Sequence, residues 1–509
     1  MRKEMKKIMI IALGAGLLLG ACSKDFLDTS STRFISKDDI DKISETSPHL
    51  SEATMNGLYA YNVKDGSGGT DGHDDFGQKG YDIYTDMLSG DMNLNRGIYG
   101  WYSRLANLQD PQNYVSNTVY KPWRFYYYMV RGANNIIDAS GGNEIIPEDN
   151  KEKIVVAQAK ALRAYMYYNL VMLYTQGYDA NEKILPIYIT PSLANTPAKP
   201  TQEVFALMEK DLKEAISLFE SAGANSTILP RATELDYYVT KGILAYVLSA
   251  KGTQDALVEV QTLTQDIMAA YPLATKEQLL GGFNSVEQNP NWIWGAKLGI
   301  DNNLDLVSWW GQVDVFTYSY AVVGDTKGMS KELYESIRPD DIRKEQFSNE
   351  PVTDVNGNTM DFGERAYLPI NKFYSATGKR LQGQRLIESA YVFMRVEEMY
   401  LLHAEAAARL MQDGEAITSL KEMLANRIDD ISYLDGLSGQ ALKDEIMLQT
   451  RIELWGEGKV YAAFKRNKKD MTYGSNHLTF PGTTFSYDDP RLTFKVPQAE
   501  ILNNPVYNN

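Results

Sequence analysis

The segment 157–173 constrains the fold of this chain more than any other, because it is apolar on two faces of one helix. The residues of the first face recur at helical spacings of four and three: Ala157, Ala161, Ala164, Tyr168 and Val171. The second face consists of Leu162, Met166, Leu170 and Leu173. A helix with two apolar faces must lie between neighbouring elements, since on a surface one of them would remain in water. The sequence therefore predicts a layer of packed helices around this segment.

Apolar stripes of helical period recur along the chain. A helix is predicted after Pro200, with Thr201 as its cap and Gly223 just past its end. Further helical patterns cover 256–267 and 392–410, and Gly414 is expected to break the chain before a helix at about 415–427. Such short helix pairs with alanine-rich contact faces resemble tetratricopeptide repeats. No fixed repeat length is visible, so the repeats are predicted to be degenerate.

The middle of the chain has a different character. Residues 281–385 are rich in Gly, Asn, Asp and aromatic residues and lack a sustained helical period, and Asn356-Gly357 is a hairpin-turn signal. The predicted fold class is therefore mainly α. Helix pairs occupy about 117–270 and 390–466, and a loop-rich insertion with short strands, at about 281–385, forms the ligand-binding half.

The amino terminus is predicted to be an export signal, residues 1–21, that ends at a lipidated cysteine. A basic start precedes an apolar run, Ile8 to Leu19, which is too short to span a membrane. Small residues then precede Cys22, as in a bacterial lipoprotein cleavage site. Cys22 is the only cysteine and so has no intrachain disulfide partner. We expect a lipid anchor, palmitate included, on Cys22; the alternative is an ordinary secretory peptide with an incidental cysteine.

The charge of the chain excludes some partners. The 51 basic and 66 acidic residues give a net charge of −15. Removal of residues 1–21 takes away four Lys or Arg and one Glu, which leaves 47 basic and 65 acidic residues and a net charge of −18. No run of basic residues appears, so nucleic acid is not an expected partner. An anionic membrane surface would repel the chain, so the anchor must be the lipid rather than a basic patch.

Two segments carry the residue types that recognise sugars, namely flat aromatic faces together with polar side chains. They are 93–102 and 301–320, and the candidate ligand-binding residues in them are Asn95, Arg96, Tyr99, Trp101, Trp309, Trp310 and Tyr320. Neither segment has the apolar period of a helix. We expect Trp101 and at least one of Trp309 and Trp310 to share a partly exposed pocket, and adjacent tryptophans in an extended chain to point opposite ways. The alternative is that these rings anchor loops on the core.

No catalytic or metal-binding residues are predicted. Glu453 and Glu457 are spaced to share a helix face, if the helix continues through Gly456, and a glycosidase needs such a carboxylate pair. A structural role is favoured, because Arg451, Lys465 and Arg466 are near enough in sequence to neutralise them. His73-Asp74-Asp75 has the chemistry to bind a cation, but its spacing matches no standard site. No cofactor is expected beyond the lipid on Cys22.

The chain resembles the SusD/RagB-like outer-membrane lipoproteins of Bacteroidetes. Five segments carry the resemblance, in the family's order: Asp25 to Asp28 after Cys22, Ala159 to Tyr174, Arg395 to Ala406, Glu453 to Gly458 with Lys465-Arg466, and Val496 to Pro505. The resemblance implies one SusD-like domain, 22–509, held on the outer face of the cell outer membrane by its lipid.

The resemblance also implies a function. Such proteins are noncatalytic. They capture oligosaccharides, or peptides in some members, and deliver them to a SusC-like TonB-dependent transporter. Their helical-repeat side is implied to face the transporter, and their loop-rich side to hold the ligand. The leading prediction is glycan capture for nutrient uptake. The alternatives are peptide capture on the same scaffold, a surface glycoside hydrolase, and a purely structural helical adaptor.

Overall fold

Helices dominate the part of the chain that the structure, a computed structural model, describes: residues 50–176, 179–226, 233–363, 366–373 and 378–508. The predicted signal peptide 1–21 and Cys22 lie outside these residues. The chain divides into the units Met1–Ser51 and Glu52–Asn509. The described residues belong to the second unit, apart from Leu50 and Ser51.

The described helices confirm the predicted mainly α fold. They are α1 Leu50–Tyr61, α2 Gln78–Leu88, α3 Ser103–Ala106, α4 Asn117–Ala139, α5 Asn150–Tyr174, α6 Thr201–Ser221, α7 Tyr237–Lys251, α8 Gln254–Ala270, α9 Lys276–Leu279, α10 Trp309–Val313, α11 Lys331–Ser336, α12 Val396–Arg409, α13 Asp413–Leu424, α14 Gly439–Glu453, α15 Val460–Arg466 and α16 Gln498–Asn503.

The strands are short. They are β1 Met92–Leu94, β2 Lys183–Pro186, β3 Ala198–Pro200, β4 Trp292–Leu298, β5 Lys327–Met329, β6 Phe347–Ser348, β7 Val352–Thr353, β8 Thr359–Met360, β9 Leu368–Pro369, β10 Ser389–Arg395, β11 Met471–Thr472 and β12 Thr484–Phe485. They form antiparallel pairs: β1 with β5, β2 with β3, β4 with β10, β6 with β9, β7 with β8, and β11 with β12. The β7–β8 pair is the hairpin that Asn356-Gly357 predicted.

The long helices pack in a continuous row. Helix α4 packs on α5, α5 on α6, α6 on α7, α7 on α8, and α12 then takes the place next to α8. Helices α13 and α14 both pack on α12. Because α5 has neighbours on two sides, nearly all of its residues from Val155 to Tyr174 are buried, as its two apolar faces predicted. Arg163 on α5 also forms a paired ion bridge with Asp211 on α6, with Nη2–Oδ1 at 2.6 Å.

The helix boundaries correct two details of the sequence interpretation. Thr201 is the first residue of α6 rather than its cap, and its hydroxyl donates to the carbonyl of Glu182 at 2.9 Å. Gly414 lies inside the first turn of α13. The break before α13 falls instead at Met411, which has a positive φ of 62°. Gly414 therefore does not interrupt the chain, because it takes part in the helix itself.

The loop-rich residues between α8 and α12 are closed at their base by one strand pair. In the β4–β10 ladder, Ser389 lies opposite Leu298 and Arg395 opposite Trp292. All seven residues of β10 are buried. The chain therefore leaves the helical row after α8 and returns to it at α12, which lets loops from distant positions meet on one rigid support.

Candidate ligand-binding site

The two aromatic segments of the sequence meet because β1 pairs with β5. Met92 lies opposite Met329 and Leu94 opposite Lys327, and the pairing continues as the amide of Asn95 donates to the carbonyl of Thr326 at 3.0 Å. The loop after β1 and the loop before β5 consequently leave the same strand pair side by side. This contact joins residues more than 200 positions apart, and it is the geometric basis of the site.

A buried carboxylate fixes the loop that carries Tyr99 and Trp101. Asp325 accepts hydrogen bonds from the amides of Ile98 at 2.5 Å, Tyr99 at 2.8 Å and Trp101 at 3.2 Å. Its side chain is fully buried, so its charge is stabilised by these amides rather than by water. Asp325 positions the loop and is not free to contact a ligand. No local feature of the sequence indicated this role.

Four rings form what we call the aromatic cluster: His73, Tyr99, Trp101 and Tyr320. Tyr320 lies at its centre, with ring centroids 5.7 Å from Tyr99, 5.8 Å from Trp101 and 5.7 Å from His73. The imidazole Nδ1 of His73 and the hydroxyl of Tyr320 share a hydrogen bond of 2.6 Å. Such offset and edge-on pairs hold ring faces at set angles to one another.

The cluster opens to solvent through Tyr99, which is 65% exposed. Trp101 and His73 are half-buried, and Tyr320 lies beneath them at 9% exposure. Burial raises the pKa of Tyr320, so its hydroxyl stays protonated and can both donate and accept. The arrangement offers an aromatic face at the surface with a neutral hydroxyl and an imidazole below it, which suits a polar ring with apolar C–H faces.

His73 reaches the cluster from a glycine-rich loop, residues 64–77, that two carboxylates fold. Asp75 accepts from the amides of Gly68 and Thr70, at 2.7 and 3.0 Å, and Asp74 accepts from the hydroxyl of Tyr84 and pairs with Lys121. Both carboxylates are therefore committed to protein groups, which argues against the cation site considered for His73-Asp74-Asp75. The spacing of residues around His73 did not indicate that this imidazole would join the aromatic cluster.

The expectation for Trp309 and Trp310 is wrong. Both lie in α10, whose cap is Ser308, and their exposures are 1% and 2%. Trp309 packs on Phe373 at 4.7 Å between ring centroids, and Trp310 lies parallel to Tyr391 at 4.9 Å. The prediction treated this segment as extended, whereas a helical turn directs both indoles into the core. They anchor the loop, and neither shares a pocket with Trp101.

The remaining predicted residues lie at the edge of the cluster. Asn95 is half-buried and Arg96 is exposed. Arg96 lies over Gly324, whose positive φ of 112° and missing side chain leave room for Ile98. Tyr318, in the second aromatic segment, is 41% exposed, and the guanidinium of Arg385 lies over its ring, 4.3 Å from the ring centroid. Of the seven predicted residues, the structure brings Tyr99, Trp101 and Tyr320 into one cluster, and Asn95 and Arg96 precede Tyr99 in the same loop.

A buried lysine closes the loop that carries Tyr320. Lys327 Nζ donates to the carbonyls of Gln312 at 3.1 Å and Asp325 at 3.3 Å, which lie near the two ends of that loop. The ammonium also faces the ring of Tyr102 at 4.9 Å. Burial lowers the pKa of Lys327 to about 8, against the opposing effect of Asp325 and Asp74. The loop is thus held by one buried cation that binds carbonyl oxygens.

The carboxylates Glu453 and Glu457 are part of a buried ionic network instead of a cleft. The helix does not continue through Gly456, because α14 ends at Glu453 and Gly456 has a positive φ of 78°. Both carboxylates nevertheless bind the same guanidinium, that of Arg395. Oε1 of Glu453 lies 2.6 Å from its Nη1, and Oε2 of Glu457 lies 2.8 Å from its Nε. Their other partners are Arg343, Arg427 and Lys372. The partners expected from sequence proximity are engaged elsewhere: Arg451 with Asp91, Arg466 with Glu405, and Lys465 with backbone carbonyls.

The electrostatics of this network oppose acid catalysis by the pair. Burial alone would raise both pKa values, but the surrounding cations outweigh it. The arginines hold the pKa of Glu453 well below its usual range, and Arg395 with Lys372 lowers the pKa of Glu457 to about 2. A glycosidase needs one carboxyl with a raised pKa beside an open cleft. This pair has neither property, so its role is to join the β10–α12 segment to the end of α14.

Within the described ranges, no helix combines the length and hydropathy needed to cross a bilayer. The same residues contain no cluster of three or more His, Cys, Asp or Glu side chains placed to hold a metal ion.

Two family models match the chain. One, described as the SusD family, matches residues 316–507. The other, described as starch-binding associating with outer membrane, matches residues 71–239. Together the matched ranges include all four residues of the aromatic cluster.

Individual relatives are distant in sequence but similar in fold. The SusD-like protein P2 of Formosa agariphila is 22% identical over 415 residues, which cover 75% of this chain and 78% of that protein. The crystal structure of a SusD-like carbohydrate binding protein from Bacteroides vulgatus has a TM-score of 0.72 and 22% identity, covering 90% of this chain and 96% of that one. A SusD superfamily protein from Bacteroides fragilis has a TM-score of 0.71 and 20% identity, with 91% and 99% covered.

Proposed function

Because this chain belongs to the SusD/RagB-like family, we propose that it is a noncatalytic surface lipoprotein that captures oligosaccharides for uptake. The observation that carries the proposal is the convergence of Tyr99, Trp101 and Tyr320, with His73, in one cluster that Tyr99 opens to solvent. One matching family model is described as starch-binding, and the Bacteroides vulgatus neighbour is called a carbohydrate binding protein. Both names support the same ligand class.

Capture would rest on ring stacking. An aromatic face attracts the C–H face of a sugar, while the hydroxyls of the sugar need hydrogen-bonding partners at its edge. Tyr99 and Trp101 supply the faces. His73 and Tyr320 supply polar groups beside them, and Arg96 is an exposed cation in the same loop as Tyr99. No bond of the ligand needs to break, and the one carboxylate pair that the sequence offered for hydrolysis is buried in an ionic network.

Delivery of the captured ligand to a transporter would depend on where the protein is located in the cell. We propose that residues 22–509 form one SusD-like domain, that Cys22 carries the lipid anchor, and that the protein lies on the outer face of the cell outer membrane. Its partner there would be a SusC-like TonB-dependent transporter. The description of one family model, associating with outer membrane, supports this location. The row of helices α4–α8 and α12–α14 is a rigid surface that such a partner can contact while the loops hold ligand.

The test is a binding panel with the protein lacking residues 1–22. Soluble oligosaccharides and peptides are titrated against the wild type, against Trp101→Ala, and against Tyr114→Ala as a control. Tyr114 is 49% exposed and lies outside the cluster. We expect an oligosaccharide to bind the wild type and the control. Trp101→Ala should lose about 1–3 kcal/mol, on the scale of stacking between bases and aromatic side chains.

Three results would contradict the proposal. Binding of peptides but of no oligosaccharide would assign the peptide-capturing role instead. If Trp101→Ala binds the oligosaccharide normally but has a lower melting temperature, the cluster has only a structural role. Slow release of sugar products by the wild type would revive the glycosidase alternative.

A further inference from the structure

A cavity built from helices α12, α14 and α15 is lined mostly by positively charged side chains, although the chain as a whole is acidic. It encloses about 310 Å³. Five cationic side chains line it: Arg409, Lys443, Arg466, Lys468 and Lys469. Among the described residues, Glu405 is the only acidic one in its lining. The whole chain has a net charge of −15, so this basic cavity is a local reversal of sign. It shares no residue with the aromatic cluster.

The cationic side chains in the lining fall into two groups, those with an ion-pair partner and those without one. Arg466 binds Glu405 through two parallel contacts, Nε–Oε1 and Nη2–Oε2, both at 2.8 Å, and Arg409 Nη1 approaches the same carboxylate at 3.3 Å. Lys469 pairs with Asp444 just outside the lining. Within the part of the chain that the structure describes, the ammonium groups of Lys443 and Lys468 have neither an ion-pair nor a hydrogen-bond partner.

The ion pairs of the described residues therefore leave part of the positive charge of the cavity lining unmatched. Five cations face two carboxylates, Glu405 and Asp444, which leaves three positive charges without a counter-charge. A monocarboxylate would neutralise one of them, whereas a phosphate group carries up to two negative charges and several acceptor oxygens. Lysine ammonium groups bind phosphate as point charges and can approach it from different directions.

The backbone holds one of the unpaired lysines in an uncommon conformation. Lys468 has a φ of 51°, in the left-handed region that glycine or asparagine usually occupies after a helix. Its amide closes the end of α15 by donating to the carbonyl of Lys465 at 3.1 Å. Lysine offers no conformational advantage at this position, and strain of this kind concentrates at functional sites. Asn467, immediately before it, also lines the cavity.

We propose that the basic cavity is a binding site for a phosphate group. Lys443, Lys468 and the outer edge of Arg466 would contact its oxygens. Three buried apolar residues in the lining, Ala408, Ile446 and Met447, would contact the carbon atoms next to the phosphate. The phosphate belongs either to a small organophosphate in solution or to the headgroup of a lipid. The proposal does not depend on sugar binding by the aromatic cluster.

The test uses the mature chain carrying Cys22→Ala and two probes. Inorganic pyrophosphate is titrated by calorimetry. Sedimentation is measured with phosphatidylcholine vesicles that do or do not contain phosphatidic acid. The test variant is Lys443→Gln with Lys468→Gln. The control is Lys64→Gln with Lys495→Gln, which removes the same charge from two exposed lysines elsewhere. Thermal melting should be the same for all three proteins, since none of these side chains is buried.

We expect pyrophosphate to bind the wild type and the control equally, and the test variant to bind at least about tenfold more weakly, because charge-assisted hydrogen bonds are lost. Rising salt should weaken binding to the wild type. Sedimentation only with phosphatidic acid, lost in the test variant, would assign the site to a lipid headgroup. Binding of pyrophosphate without sedimentation would assign it to a soluble ligand. Absence of both, or equal weakening in test variant and control, would overturn the proposal.

Discussion

The imidazole of His73 lies parallel to the indole of Trp101, with 2° between the ring planes and 5.1 Å between their centroids. His73 therefore covers part of one face of Trp101, and the same imidazole is tied to the hydroxyl of Tyr320. A ligand can use only the face of Trp101 that His73 leaves open. The glycine-rich loop at 64–77 thus takes part in binding by fixing the orientation of a tryptophan that lies in another loop.

The first prediction concerns this stack. His73→Ala should weaken oligosaccharide binding by about 1 kcal/mol, because the indole loses the ring that holds it in place. His73→Phe keeps a ring but not the hydrogen bond to Tyr320, so it should bind with intermediate affinity. Calorimetric titration of the three proteins measures this order. Identical affinity for His73→Ala and the wild type would show that Trp101 is positioned without His73.

The second prediction concerns the buried ionic network. Glu457→Gln should lower the free energy of unfolding by about 3–5 kcal/mol, because Arg395 and Lys372 would lose a buried counter-charge. Urea unfolding measures the loss. The control is Glu335→Gln, an exposed residue paired with Lys331, which should change stability by less than about 0.5 kcal/mol.

Low pH should destabilise the wild type for the same reason as Glu457→Gln, because protonation also removes the charge of this carboxylate. The folded-state pKa of Glu457 is lowered to about 2, below its unfolded value of about 4.3. The stability that this carboxylate contributes is therefore present above the unfolded pKa and is lost as the pH falls toward 2. The stability difference between wild type and Glu457→Gln should shrink over this range. A difference independent of pH would mean that the charge of Glu457 is not what stabilises the fold.

The third prediction concerns Lys327. Its folded-state pKa of about 8 lies below the unfolded value of about 10.4. Between these values the unfolded chain holds a proton that the folded chain does not, so stability rises with pH. The stability of the wild type relative to Lys327→Met should increase by up to about 3 kcal/mol over this range. Lys331→Met, at an exposed lysine, should show no such trend, and a flat response for Lys327→Met would contradict burial of the ammonium.

The fourth prediction concerns the anchor. If a lipid on Cys22 is the anchor, as we propose, Cys22→Ala should release the protein from membranes, and the net charge of −18 for residues 22–509 disfavours anionic surfaces as a substitute. Fractionation of cells that lack the partner transporter measures this, so that docking cannot hold the protein in place. Unchanged membrane association in those cells would rule out a lipid on Cys22 as the anchor.

Local patterns determined the helices, because helical period depends on residues three and four positions apart. The two apolar faces at 157–173 predicted the sandwiched position of α5, and Asn356-Gly357 predicted the β7–β8 hairpin. The aromatic-polar composition of 93–102 identified Tyr99 and Trp101 as surface-loop residues, since that segment has no apolar period that would commit its rings to a core.

Long-range contacts were decided only in the tertiary structure. The pairing of β1 with β5 brings Trp101 to Tyr320, and nothing near either residue specifies the other. The sequence could not show that Trp309 and Trp310 turn into the core, since a tryptophan pair suits a surface or a core equally until its neighbours are known. For the same reason it assigned Glu453 and Glu457 to nearby cations, whereas burial matched them with Arg343, Arg395 and Arg427 from distant parts of the chain. The period of apolar residues in the sequence shows which face of a helix or strand is apolar, but only tertiary packing decides which element covers that face.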